Sequence, residues 1–190
     1  MTRLILASAS TSRAKLLENA GVAFTVRPAN IDEGGIKASE RDGRVVAEKL
    51  AALKAVAVPG ELVLGADQVL VCDGRIMSKA ATLTEAAEQL RALRNRRHTL
   101  ISAVALATDG APVWRHVEES VLWMRDFSDA FLETYLAAEG PGILGGVGCY
   151  RYEGAGAQLF SRVEGDYFSI LGLPLVPLLA ALRDRGVIAA

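Results

Sequence analysis

Hydroxyl and cationic side chains follow the first apolar run of the chain, within residues 7–17. Ser8 and Ser10 come directly after that run, and Arg13 lies on the first turns of a predicted helix. Free backbone N–H groups, hydroxyl donors and a guanidinium are the groups that bind a polyphosphate. We therefore predict that Ser8, Ser10 and Arg13 bind substrate. An equally good explanation from this segment alone is that Ser10 or Thr11 merely caps the helix.

Three carboxylates are notable for where they fall. Asp32 and Glu33 lie in an acid-rich segment without periodicity, and Asp67 interrupts the apolar run of residues 62–71. Because an unpaired buried carboxylate is costly, one in such a run is normally paired or binds a metal. Mg²⁺ is usually shared between one or two carboxylates and the substrate phosphates. Glu33 and Asp67 are the predicted metal ligands; the alternative is that Asp67 faces solvent at a strand end.

Two lysines are candidates to face these acids. Lys54 lies late on a predicted helix, and Lys79 follows the hairpin after Asp67. Either alone is more often an ordinary surface lysine, so the prediction that both bind substrate depends on their neighbours. His98 and His116 lack the spacing of zinc ligands. No Walker A or GxGxxG pattern occurs in the chain, which disfavours kinases and dehydrogenases.

Alternating strands and helices are expected to position these residues. Apolar periodicity predicts strands over residues 3–7, 24–27, 62–71, 98–107 and 113–125, with the last two joined as an antiparallel hairpin. Helices are predicted before Gly21, over 44–58, after a Thr84 cap, over 128–138 and over 174–185. Residues 28–40 and the glycine-rich residues 140–148 are predicted to be loops.

The composition predicts one domain over residues 1–190. The chain is 51% hydrophobic, and its formal net charge is −1. Such a balance gives no long-range field to attract nucleic acid or a membrane surface, so neither is expected as a partner. Cys72 and Cys149 are far apart and form no CxxC pair, which is typical of a reducing compartment. Without a recognisable signal peptide, the expected location is the cytoplasm.

Taken in order, these segments resemble the Maf family of nucleotide pyrophosphatases. The matching segments are residues 6–17, Asp32-Glu33, 50–55, 65–67, Ser78-Lys79 and 172–174. The resemblance implies that Ser8, Arg13, Lys54 and Lys79 hold the phosphates and that Glu33 and Asp67 serve the metal and the water. It further implies an inosine-triphosphatase-like α/β fold, in which helices flank an elongated twisted mixed sheet and two lobes surround a cleft. Homodimers are frequent in the family.

The implied reaction is hydrolysis of a nucleoside triphosphate to a nucleoside monophosphate and pyrophosphate, with Mg²⁺ or Mn²⁺ as the cofactor. Asp67 either ligates the metal or takes the proton of the water. Two residues, Gln68 directly after Asp67 and Glu153, resemble those of the family branch that hydrolyses 7-methyl-GTP. Both are therefore expected to bind substrate. The Glu153 carboxylate can accept hydrogen bonds from the guanine N1 and N2 donors and balance the charge of N7-methylation.

Three alternatives stay open at this point. The chain resembles in part the family branch that hydrolyses dTTP and UTP. A house-cleaning pyrophosphatase for oxidised or deaminated purines would need the same phosphate and metal groups. The same groove could also bind a nucleotide without hydrolysis, as a regulator of cell division.

Overall fold

A computed structural model describes residues 3–189, which form one mixed β-sheet with helices packed on both faces. The strands are β1 (Leu4–Leu6), β2 (Phe24–Val26), β3 (Leu62–Cys72), β4 (Arg75–Met77), β5 (Arg97–Thr108), β6 (Ala111–Met124) and β7 (Phe160–Glu164). The helices are α1 (Thr11–Asn19), α2 (Glu33–Ser39), α3 (Gly43–Ala57), α4 (Leu83–Leu93), α5 (Asp129–Glu139), α6 (Tyr167–Ile170) and α7 (Leu175–Asp184). The strand order is β2-β1-β3-β5-β6-β7, and β4 pairs with β3 outside this path.

Parallel and antiparallel pairing both occur in this sheet. The short strand β1 runs parallel to β2 and β3, whereas the pairs β3–β5, β5–β6 and β6–β7 are antiparallel. The predicted long hairpin is confirmed as β5 and β6, which turn at Asp109 and Gly110, both with positive φ. The mixed α/β sheet flanked by helices is confirmed as well. Within residues 3–189 no helix is long and apolar enough to cross a membrane.

Among the described residues the core has four clusters, and alternation along the long strands defines the three larger ones. On one face of β3, Leu64 packs in a cluster with α1 and α7, and Leu70 packs in a second cluster with α4 and α5. The opposite face carries a third cluster, in which Val69 packs against α3. Because strand side chains alternate between faces, residue 68 falls between the first two clusters and residue 67 points to the α3 side.

The loop predicted over residues 28–40 is wrong in its second half, where α2 begins at Glu33. Asp32 is the N-cap of this helix, and its carboxylate accepts a hydrogen bond of 3.2 Å from the Gly35 N–H. Gly34 and Gly35 have low helix propensity and obscured the helix in the sequence. The Asp32 cap and the salt bridge between Glu33 and Lys37, which are four residues apart, stabilise the helix despite these glycines.

The structure differs from the sequence prediction in three other places. The cap of α4 is Thr82, whose hydroxyl accepts from the Glu85 N–H, rather than Thr84. The glycine-rich segment contains a 3-10 helix over Gly140–Gly145, which begins with a proline in its first turn. Strand β7 was not predicted, because its five residues alternate too briefly to give a pattern.

His98 on β5 is buried and is held in its neutral form. Its Nε2 lies 2.8 Å from the Tyr150 hydroxyl, while Nδ1 is buried without a partner among the described residues. Burial lowers the pKa of His98 to about 4. As the pH falls, His98 in the unfolded chain therefore binds a proton near its ordinary pKa of about 6.5, whereas His98 in the folded chain binds one only at lower pH.

Stability should thus be lost as the pH falls from about 6.5 toward 4. We expect His98 to account for a loss of about 2 kcal/mol in the free energy of unfolding between pH 7 and pH 5. The measurement is urea unfolding of the wild type and of His98→Gln at both pH values. If the variant loses as much stability as the wild type over this range, His98 is not the titrating group.

Candidate active site

A gap in strand pairing on one edge of β3 creates the cleft. Strand β1 pairs with β3 only as far as Leu64, and β4 pairs with the same edge from Leu70 onward. Between these two partners, Asp67 and Gln68 lie on a stretch of β3 that is paired on its other edge with β5 alone. Residues that interrupt an apolar strand are therefore placed where the sheet opens.

The cleft has a volume of about 1390 Å³, which is ample for a nucleoside triphosphate. It brings together all nine residues predicted from the sequence. They are Ser8, Ser10, Glu33, Arg13, Lys54, Asp67, Gln68, Lys79 and Glu153. Asp32, the other member of the acidic pair, caps α2 instead. All nine line this one cleft, while their individual roles stay predictions.

The turn between β1 and α1 positions a guanidinium at the cleft. Ser10 is the N-cap of α1, and its hydroxyl accepts from the Arg13 N–H at 3.4 Å, so this serine does cap the helix. Arg13 Nη1 donates to the Ser8 hydroxyl at 3.1 Å and to the Ala66 carbonyl at 3.0 Å. Arg13 Nε donates to the Gly172 carbonyl at 2.8 Å. These bonds to neutral groups fix Arg13 and leave its charge available to an anion.

Lys54 joins the two predicted metal ligands. Its Nζ lies 2.7 Å from Asp67 Oδ1 and 2.7 Å from Glu33 Oε1, and only 11% of its side chain is exposed. The contact requires α3 to lie close to β3. Gly65 permits this approach, because a Cβ there would collide with the backbone of α3 at Ala51.

The electrostatics of the cleft favour the ionised form of Glu33. Burial alone would raise the pKa of Glu33, but Lys54 and then Lys37 outweigh burial and lower it to about 2. Asp67 is 5% exposed, and its Oδ2 is buried without a hydrogen-bond partner among the described residues. A buried carboxylate oxygen with no partner is unusual and marks a place for a metal ion, a water or a substrate group.

Two further cations face the Glu33 and Asp67 carboxylates. Partial burial lowers the pKa of Lys79, and the positive charge of Arg13 lowers it further while Glu33 raises it. Burial likewise lowers the pKa of Arg13, and Asp67 and Glu33 oppose that shift. Unlike Lys54, Lys79 makes no salt bridge in the part of the chain that the structure describes. An anion between Arg13 and Lys79 would relieve their repulsion.

The carboxylates fit a divalent cation that is shared with substrate. Among residues 3–189, no cluster of three or more carboxylate, imidazole or thiol groups could enclose a metal. Mg²⁺ commonly takes only one or two carboxylates and completes its ligands with phosphate and water. The unpartnered Asp67 Oδ2 and the nearby Glu33 carboxylate match that requirement.

Sequence reasoning missed two buried serines behind Gln68. Ser102 on β5 and Ser169 on α6 are each 1% exposed, and both bind the Gln68 side-chain amide. A hydroxyl at residue 102, within an otherwise apolar strand, is the signal that could have identified the first. The second lies in a four-residue helix that has no clear period.

The chain is similar to known proteins over almost its whole length. The family model described as "Maf-like protein" matches residues 3–185. Two curated relatives, from Granulibacter bethesdensis and Paramagnetospirillum magneticum, are each 50% identical and each cover 96% of the chain, over 97% and 98% of their own lengths. Both are named nucleoside triphosphate pyrophosphatase.

A solved structure, a HAM1 protein from Coxiella burnetii, is a more distant match. It is 20% identical and covers 67% of this chain and 75% of its own, with a TM-score of 0.45, a likeness too low to support an inference. The family match needs no such support, because it spans the first loop, the acidic segment, the Asp67 strand and α7. The chain belongs to the Maf family.

Proposed function

We propose that the protein is a nucleoside triphosphate pyrophosphatase, which hydrolyses its substrate to a nucleoside monophosphate and pyrophosphate. The observation that carries the proposal is the arrangement of charge in one cleft. Arg13 and Lys79 face the Glu33–Lys54–Asp67 group, so cations for a triphosphate lie beside two carboxylates. The names of the two relatives support the same activity.

In the proposed mechanism, Arg13 and Lys79 bind the phosphate chain and neutralise the pyrophosphate as it leaves. Lys54 holds Asp67 and Glu33 in place by binding one oxygen of each. Asp67 Oδ2, which has no hydrogen-bond partner among residues 3–189, accepts the proton of the water that attacks the α-phosphorus, or else ligates the metal. Bound by Asp67 and Glu33, Mg²⁺ or Mn²⁺ would supply positive charge for the phosphates and lower the pKa of a water.

A nucleotide panel tests the proposed function and separates it from its rivals. The purified protein is incubated with 7-methyl-GTP, UTP, dTTP, CTP and ITP, with Mg²⁺ or Mn²⁺, and the products are separated by ion exchange. We expect a monophosphate and pyrophosphate in equal amounts from at least one substrate. Binding without any turnover would favour a nucleotide-binding regulator of cell division, and preference for ITP would favour a house-cleaning role toward altered purines.

Within this function, we propose 7-methyl-GTP as the preferred substrate and dTTP or UTP as the alternative. Glu153 lines the cleft and is partly exposed there, as a carboxylate that binds a purine edge must be. Arg151 Nε lies 3.6 Å from Glu153 Oε1, so a weak ion pair joins the two side chains. A methylated guanine carries the positive charge that Glu153 can bind in its place.

Glu153→Gln should therefore reduce the preference for 7-methyl-GTP over UTP. We expect the ratio of the two kcat/KM values to fall roughly threefold to tenfold, because a charge-assisted hydrogen bond becomes a neutral one. Glu139→Gln is the matched control, since Glu139 also pairs with Arg151 at 3.6 Å but does not line the cleft. An unchanged ratio in Glu153→Gln would remove the support for 7-methyl-GTP.

A further inference from the structure

A polar pair interrupts the apolar face of the sheet between two of its core clusters. Gln68 on β3 and Ser102 on β5 are direct partners in the strand register. On either side of this pair, the same face is apolar, with Leu64 and Ala66 toward α1 and α7 and Leu70 toward α4 and α5. Gln68 also lines the cleft, so the pair connects the interior of the sheet to the site.

Three protein acceptors engage the side-chain nitrogen of Gln68. Nε2 donates to the Ser102 hydroxyl at 2.9 Å, to the Ser169 carbonyl at 3.1 Å and to the Ile170 carbonyl at 3.1 Å. An amide nitrogen has only two hydrogens, so these acceptors use its full donor capacity. Rotating the amide by half a turn would place Oε1 against two carbonyl oxygens. The orientation of the Gln68 amide is therefore fixed.

The fixed orientation turns Gln68 Oε1 toward the Arg13 side of the cleft. A Cβ built on Gly172 would lie 3.7 Å from Gln68 Oε1 and 3.6 Å from Arg13 Nε. Glycine at residue 172, where φ is +97°, leaves this space open between the amide oxygen and the guanidinium. Gln68 Oε1 is thus a hydrogen-bond acceptor next to a phosphate-binding cation.

Ser102 and Ser169 hold the amide in this orientation through a chain of hydrogen bonds. The Ser102 hydroxyl donates to the Ser169 carbonyl at 2.7 Å while it accepts from Gln68. Ser169 is itself held, because its N–H donates to Asp166 Oδ1 at 2.8 Å and its hydroxyl bonds to Glu118. Removing the Ser102 hydroxyl would leave the remaining contacts to the two carbonyls, which fix the amide less tightly.

We propose that Ser102 is a positioning residue, which presents Gln68 Oε1 as a specificity-determining acceptor for one hydrogen-bond donor of the nucleoside. The donor is a ribose hydroxyl or an N–H of the base, and the two are separated by the choice of analogue. The inference rests on the proposed function, because it needs a nucleotide in the cleft. It differs from the Glu153 proposal in using a neutral acceptor beside Arg13.

The test measures pyrophosphate release from UTP, 2′-deoxy-UTP, 3′-deoxy-UTP and N3-methyl-UTP, and from the corresponding GTP series with N1-methyl-GTP. In the wild type, the analogue that lacks the recognised donor should have a kcat/KM roughly threefold to tenfold below its parent. This ratio should approach one in Gln68→Met and should fall part of the way toward one in Ser102→Ala, where the two carbonyls still hold the amide, but less tightly. It should return in Ser102→Thr, which restores the hydroxyl, and stay at the wild-type value in Ser120→Ala, another buried serine.

Thermal unfolding of each variant shows whether it is folded. If Ser102→Ala does not fold, the analogue ratio of Gln68→Met tests the inference. A wild-type ratio that persists in folded Gln68→Met or Ser102→Ala would overturn the inference, as would the absence of any effect of the analogues on the wild type. Failure of folded Ser102→Thr to restore the ratio would do the same. Lack of any pyrophosphate release by the wild type would contradict the proposed function itself, and so the two failures are distinct.

Discussion

Turnover of Asp67→Asn is expected to fall at least ~10²-fold while the fold is retained. Asparagine keeps the size of the side chain and an oxygen for Lys54, which approaches Asp67 Oδ1 at 2.7 Å. The buried Oδ2, which has no hydrogen-bond partner in the described part of the chain, becomes an amide nitrogen, which can neither take a proton from water nor ligate a cation. Initial rates of pyrophosphate release at saturating substrate give turnover, and thermal unfolding checks the fold.

Asp32→Asn is the matched control for this substitution. Asp32 lies beside Glu33 in the acidic pair, but its carboxylate caps α2, a role that asparagine fills about as well. We expect this variant to retain nearly wild-type turnover. Wild-type turnover in Asp67→Asn would refute a catalytic role for Asp67, whichever of the two roles it has.

Lys54→Met is expected to lower the free energy of unfolding by about 3 kcal/mol and to reduce turnover strongly. Methionine fills much of the same space but leaves the carboxylates of Asp67 and Glu33 without the cation that they share. Removing one partner of a buried ion pair costs more than the pair contributes, because the remaining charge stays buried. Urea unfolding at neutral pH and low salt measures the change.

Lys37→Met provides a comparison at the same carboxylate. Lys37 pairs with Glu33 at 3.0 Å across one turn of α2, where both side chains are more than a third exposed. Such a pair contributes about 0.5 kcal/mol or less. Equal losses of stability in the two lysine variants would show that Lys54 behaves as a surface residue and that Glu33 and Asp67 do not depend on it.

The residues of the cleft were predictable because they break strong local patterns. Asp67 interrupts a buried strand, and that position is where β3 loses its neighbour on one edge. The hydroxyl-rich segment after β1 is both a helix cap and a lining of the cleft, so the two explanations of Ser10 do not exclude each other. Such signals are local and need no knowledge of the tertiary structure.

Contacts between side chains far apart in the sequence could not be predicted from the same patterns. Helical periodicity places Lys54 on α3, but its contact with Asp67 depends on how closely Gly65 lets the helix approach the sheet. The contact of Ser169 with Gln68 joins residues 101 apart in the chain, through a backbone carbonyl whose position no residue type encodes. The geometry that supports specificity therefore emerged only from the fold.

Hydrolysis in ¹⁸O-labelled water tests the central claim most directly. Water held by the Asp67 carboxylate is proposed to attack the α-phosphorus, with pyrophosphate leaving toward Arg13 and Lys79. Mass spectrometry of the products should then find the heavy oxygen in the nucleoside monophosphate and none in the pyrophosphate. Label in the pyrophosphate would place the attack on the β-phosphorus, and a diphosphate with inorganic phosphate as products would contradict the account altogether.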